Sequence, residues 1–166
     1  MRIARVLAAS LTTFGLVTTA FADAGADLTV STSVVQSCTI AGNTLAFPAY
    51  NTVSGASVDG AATIAVACTS GTETAITLGE GEHPAALSAP EAPARRMSDG
   101  GTNYLSYQLF ADSNRSTVWG GTEATGKPYE ALSSASSNQT VYGRIDAGQD
   151  VPAGDFTDTV LATILF

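Results

Sequence analysis

Few residues in this 166-residue chain could carry covalent chemistry. There is one histidine, His83, and there are two cysteines, Cys38 and Cys68. His83 stands in Gly79-Glu80-Gly81-Glu82-His83-Pro84, where two carboxylates beside an imidazole could hold a metal, although a solvated acidic turn explains the same residues. One imidazole excludes a multi-histidine metal centre, and no G-x-S-x-G pattern presents a serine to it. Asp112, Asn114, Ser116 and Glu123 fall at calcium-loop spacing, but Thr117 stands where such a loop turns on glycine and Arg115 adds a repelling charge. Trp119, with Tyr129 and Tyr142, could stack on a sugar or simply fill a core. Arg95-Arg96 reads as a solvated pair, or as a contact for an acidic neighbour. No constellation supports a catalytic site, a metal or a cofactor, so the chain reads as non-enzymatic.

The two cysteines gain meaning from the N-terminus. Arg2 and Arg5 precede an uncharged apolar stretch, Val6 to Val17, and Ala20-Phe21-Ala22 offers a small-x-small cleavage site. The stretch is shorter than the ~20 residues that span a bilayer. Residues 1–22 therefore read as a signal peptide, with cleavage after Ala22 or Ala24, and no stable membrane insertion is expected. In an oxidising compartment an even pair of cysteines reads as a disulfide, Cys38–Cys68.

Charge narrows the partners. The chain has 7 Lys+Arg against 15 Asp+Glu and a net charge of −8. Losing Arg2 and Arg5 with the leader leaves five cations and a charge of −10. Phosphate neutralisation needs clustered cations, so nucleic acid is excluded as a partner.

After residue 22 no helical periodicity persists. Period-two alternation is punctuated by Gly, Asn, Asp and Ser. Strands are expected at Leu28–Val34, Thr44–Tyr50, Ala61–Cys68, Thr74–Leu78, Tyr104–Phe110, Thr117–Trp119, Thr140–Ile145 and Phe156–Phe166, with a further strand-like run, Val34–Cys38, ending at the first cysteine. Loops are expected at Pro84–Pro93 and Glu123–Asn138. Seven or eight short strands without a helix fit an all-β, immunoglobulin-like sandwich. A strand-like segment precedes the first cysteine, and the chain ends on an apolar strand, whereas sandwiches normally blunt or cover their edges. From pattern alone, residues 23–37 could be the sandwich's own first strand or a free segment.

The order of several pieces resembles the spore coat protein U domain, the pilin domain of archaic (Csu-type) chaperone–usher pili. Those pieces are Ser37-Cys38-Thr39-Ile40, Leu45-Ala46-Phe47-Pro48-Ala49-Tyr50, Ile64-Ala65-Val66-Ala67-Cys68-Thr69 and Arg95-Arg96-Met97, with Val118-Trp119-Gly120. The end is the most specific: Val141-Tyr142-Gly143-Arg144-Ile145, Gln149, and Gly154-Asp155-Phe156-Thr157-Asp158-Thr159-Val160 before the last strand. Pro48 departs from the glycine usual in that family.

The resemblance implies a pilin domain at 38–166 that lacks one strand, and an N-terminal extension at 23–37 that donates a strand to a neighbour. Leu28, Val30, Thr32 and Val34 would be the donor side chains. Val160, Ala162, Ile164 and Phe166 would line the acceptor groove. The implied partners are identical or homologous subunits in a head-to-tail polymer, a periplasmic chaperone and an outer-membrane usher. The implied location is the periplasm in transit, then a surface fimbria serving adhesion or biofilm formation. A spore or cell coat protein of the same fold is the alternative, as is a receptor- or carbohydrate-binding adhesin. The latter should carry a second domain, for which 144 residues after the leader leave no room.

Overall fold

A computed structural model describes residues 23–166, and the expected signal peptide lies outside the described residues. The chain divides into an N-terminal unit ending at Ser33 and a main unit, Val34–Phe166. In the first, residues 23–33 form no helix or strand, and Leu28 and Val30 are exposed.

The main unit is an antiparallel sandwich of eight strands: β1 (Cys38–Gly42), β2 (Val58–Cys68), β3 (Glu73–Leu78), β4 (Arg95–Ser98), β5 (Tyr104–Phe110), β6 (Lys127–Glu130), β7 (Ser137–Ile145) and β8 (Ala162–Leu165). A single 3-10 turn, Glu123–Thr125, is the only helical piece among the described residues. One sheet runs β1-β2-β7-β5-β4 and the other β6-β3-β8. Alternation decides which side chains enter the core. On β2 Ile64, Val66 and Cys68 are buried, on β5 Leu105, Tyr107 and Leu109, and on β7 Val141 and Ile145. They meet Ile76 and Leu78 of the smaller sheet across the fully buried Trp119. Its indole Nε1–H donates to the Ile76 carbonyl at 2.6 Å, so the one polar atom of a large apolar ring is satisfied inside.

Cys38 and Cys68 face each other across β1 and β2 with Cα atoms 4.0 Å apart and are joined as a disulfide. The bond therefore staples an edge strand, β1, to its single neighbour. Gln149 completes the far side of β5. Its Oε1 accepts from the Ser106 N–H at 2.7 Å and its Nε2 donates to the Ser106 carbonyl at 2.8 Å. The side-chain amide thus replaces a peptide group just where β7 has ended.

Several expected strands are corrected. The run before Cys38 is not a strand, because β1 starts at Cys38 and continues to Gly42. Leu28–Val34 and Thr44–Tyr50 form none, and Thr117–Trp119 contributes only an isolated bridge between Val118 and Phe110. In the last segment only Ala162–Leu165 is strand, with a bridge from Thr157 to Ser98. The loop expected at Glu123–Asn138 contains β6 and the start of β7.

Candidate functional site

Between the sheets lies an open groove of about 1290 Å³. Protein interiors hold few voids larger than a water molecule, and ordinary ligand pockets span ~300–1,000 Å³. The groove exceeds that range and opens to solvent along its length.

Its floor is the inner face of the five-stranded sheet, with Ile64, Leu105, Tyr107, Leu109, Val141 and Ile145. One lip is the segment after β1, which contributes Leu45, Phe47 and Tyr50. The other lip is the segment before β8, with Val151, Phe156 and Val160, running on into Ala162 of β8. The first lip lies outside any ladder, whereas the second pairs through Thr157 with Ser98 and through Leu161 and Ala162 with the end of β3. The backbone N–H and C=O groups of Thr44–Tyr50 make no hydrogen bond among the described residues, nor do those of Val151–Phe156. Both runs are half-buried or exposed, so their backbone donors and acceptors are left open beside the groove. β1 and β8 are moreover the edges of their sheets, each with one neighbour.

Local sequence explains how the lips are held. Gly60 on β2 and Gly143 on β7 are directly paired, and together they leave room for Leu45 and Phe47. A Cβ at Gly143 would come 2.7 Å from Phe47 Cζ. The Tyr50 hydroxyl accepts from the Gln149 N–H at 2.9 Å and donates to the Asp146 carbonyl at 3.2 Å. On the opposite lip the Tyr107 hydroxyl donates to Asp158 Oδ2 at 2.6 Å, and the Glu82 N–H donates to Oδ1 at 2.8 Å. Burial, then the contact with Asp158, pushes the Tyr107 phenol up, so it remains a donor.

Of the residues assigned to the acceptor strand, Val160 and Ala162 line the groove and Ile164 packs against the core beyond it. Phe166 lies outside the lining and is 65% exposed. Of the residues assigned to the donor segment, Leu28, Val30, Thr32 and Val34 are all exposed.

The cations are engaged internally. Arg95 is 1% exposed, which corrects its reading as half of a solvated pair: its guanidinium bonds to carbonyls inside the sandwich. Nothing in the spacing of Arg95-Arg96-Met97 signals this, since β4 shows no alternation. Arg96 donates to the His83 and Pro84 carbonyls and covers the Tyr104 ring. Arg144 and Arg115 both hold Asp59, and the hydrogen bond from Arg144 keeps that carboxyl below the usual range. Lys127 lies over Trp119, 5.3 Å from the ring centroid. With its ring enclosed, Trp119 has no face to offer a sugar. Asp112 accepts from the Ser116 and Thr117 amides and so closes its own turn.

Residues 24–163 match the Spore Coat Protein U domain family. The chain is 40% identical over 155 residues to Protein U of Myxococcus xanthus, covering 87% of this chain and 86% of that protein. Its fold is similar to a chain in the crystal structure of the CsuC-CsuE chaperone-tip adhesion subunit pre-assembly complex from archaic chaperone-usher Csu pili of Acinetobacter baumannii. That match has a TM-score of 0.55 and 19% identity, covering 80% of this chain and 40% of the other.

Proposed function

The chain belongs to the Spore Coat Protein U domain family, and on that premise we propose that it is an exported structural subunit which polymerises by donor-strand exchange. The observation that carries the reading is the open groove with an apolar floor, flanked by the unpaired backbone of Thr44–Tyr50 on one lip and of Val151–Phe156 on part of the other. A strand laid there would bury side chains on the floor and satisfy the lips, the two contributions of β-augmentation. The extension at 23–37 has the matching pattern, with Leu28, Val30, Thr32 and Val34 at alternate positions. Each aliphatic side chain so buried is worth ~1.5–3 kcal/mol, while Thr32 suits a shallower or more polar place. Val160 and Ala162 meet the incoming strand in the groove, and Ile164 supports them from the core.

Donor and acceptor lie on different parts of one chain, so the contact is head-to-tail and grows a filament. A periplasmic chaperone would occupy the groove before assembly, and an outer-membrane usher would carry the subunit to a surface pilus serving adhesion or biofilm formation. The family description favours a second setting, a spore or cell coat, in which the same groove would build the polymer.

Leu28→Asp/Val30→Asp, or removal of residues 23–33, should leave a folded subunit that forms no fibres by electron microscopy. Fibres of normal length and yield from either variant would overturn donor function.

A further inference from the structure

Arg95 is the most deeply buried charge among the described residues, and the groove does not include it. Nε donates to the Gly79 carbonyl at 2.8 Å, and Nη2 to the carbonyls of Leu78 at 2.8 Å and Trp119 at 2.7 Å. Nη1 donates to Gln108 Oε1 at 2.6 Å. No carboxylate lies within ion-pair distance of it among the described residues. Burial pushes its pKa down to about 10, so the charge persists at neutral pH.

Stability alone does not explain such a group, because buried charges can often be replaced by apolar residues without loss. Geometry does. Arg95 stands on β4, the edge of the five-stranded sheet, whereas Leu78 ends β3 in the other sheet. The planar guanidinium therefore spans the sandwich, and its fork fixes several carbonyls at once, which a lysine cannot do. Those carbonyls lead to the groove. The Leu78 side chain lines it, and the Gly79 N–H donates at 2.9 Å to the carbonyl of Leu161, the residue before β8.

We propose that Arg95 is a positioning residue for the groove: it holds β3, and through Gly79 the β8 lip, at the separation that admits a strand. An unfilled apolar cleft tends to close, since burial of its own walls is favourable. A hydrogen-bonded fork between the sheets resists that closure. The inference rests on the donor-strand reading of the same groove.

The test uses the full chain carrying Leu28→Asp/Val30→Asp, which disables the donor and leaves the acceptor intact. The probe is a fluorescent synthetic peptide of residues 23–37. Its uptake is followed at a temperature where circular dichroism shows every variant fully folded. Adding Arg95→Lys should slow uptake about tenfold or more, the effect of losing one or more bonds from a charged donor. Gln108→Leu, which removes one of the four acceptors, should slow it less. Uptake by a folded Arg95→Lys chain at the background rate would show that Arg95 merely stabilises the sandwich. If Arg95→Lys does not fold, Gln108→Leu decides, and unchanged uptake overturns the proposal. A background that takes up no peptide refutes the donor-strand reading itself, an outcome separate from a failure of Arg95.

Discussion

Replacing both cysteines by alanine tests how the edge strand beside the groove is held. Cys38 and Cys68 are 30 residues apart in sequence, and β1 has β2 as its single neighbour. Releasing a closed loop of that length restores chain entropy worth about 3–4 kcal/mol to the unfolded state. The cavity left where Cys68 is buried adds a smaller cost. With a urea m-value of ~1–3 kcal/mol/M, the midpoint of Cys38→Ala/Cys68→Ala should fall by roughly 1–4 M. Loss should begin locally: hydrogen exchange at the β1 amides should accelerate before that of β5 or β7, which sit inside the sheet. Reduced wild type should behave in the same way. A midpoint within ~0.25 M of oxidised wild type, in either the variant or the reduced protein, would refute the argument, as would uniform exchange across the sheet.

Gln149→Ala removes the amide that substitutes for a peptide group beside Ser106, and exchange of the Ser106 N–H should rise at least about tenfold with a destabilisation of ~1–2 kcal/mol. Unchanged exchange would mean that solvent replaces the amide without cost. Acid should weaken the fold through Asp59, Asp99 and Asp112, held below the usual carboxylate range chiefly by the Arg144 side chain, the Asn103 side chain and the Thr117 amide respectively. A depressed folded pKa contributes stability above the ordinary aspartate value of ~3.9, and that contribution disappears as pH falls through the lower folded values. Urea midpoints should therefore drop below about pH 4, and Asp112→Asn should flatten the drop; an acid limb identical to wild type would count against it.

The clearest strand in the sequence is also the clearest in the fold. Tyr104–Phe110 is β5 to the residue, because Leu105, Tyr107 and Leu109 alternate with Ser106 and Gln108 between a glycine turn and an Asp-Ser-Asn turn. β4 escapes notice because Arg95-Arg96-Met97-Ser98 has no apolar alternation, and its place is set by pairing with β5 and by bonds made across the sandwich. β6 is masked by Pro128, which argues against a central strand; β6 is an edge, where a missing N–H is tolerated. Thr44–Tyr50 shows the opposite error. Leu45 and Phe47 alternate correctly and pack inward, but no neighbour is present to form a ladder with their backbone. Alternation reports which side chains face a core. It is silent on whether a partner strand belongs to the same molecule.

Arg95, Arg96, Arg115, Lys127 and Arg144 are all turned to internal use, while most of the 15 acids are not. In the filament proposed above, copies set end to end would form a polyanion whose repeating charge is only partly damped at physiological salt, where the screening length is ~8 Å. Such a rod would gather a cloud of counterions and stay well dispersed from its siblings. Bundling or matting would be governed by dissolved salts and divalent ions, without any change in the joints between copies.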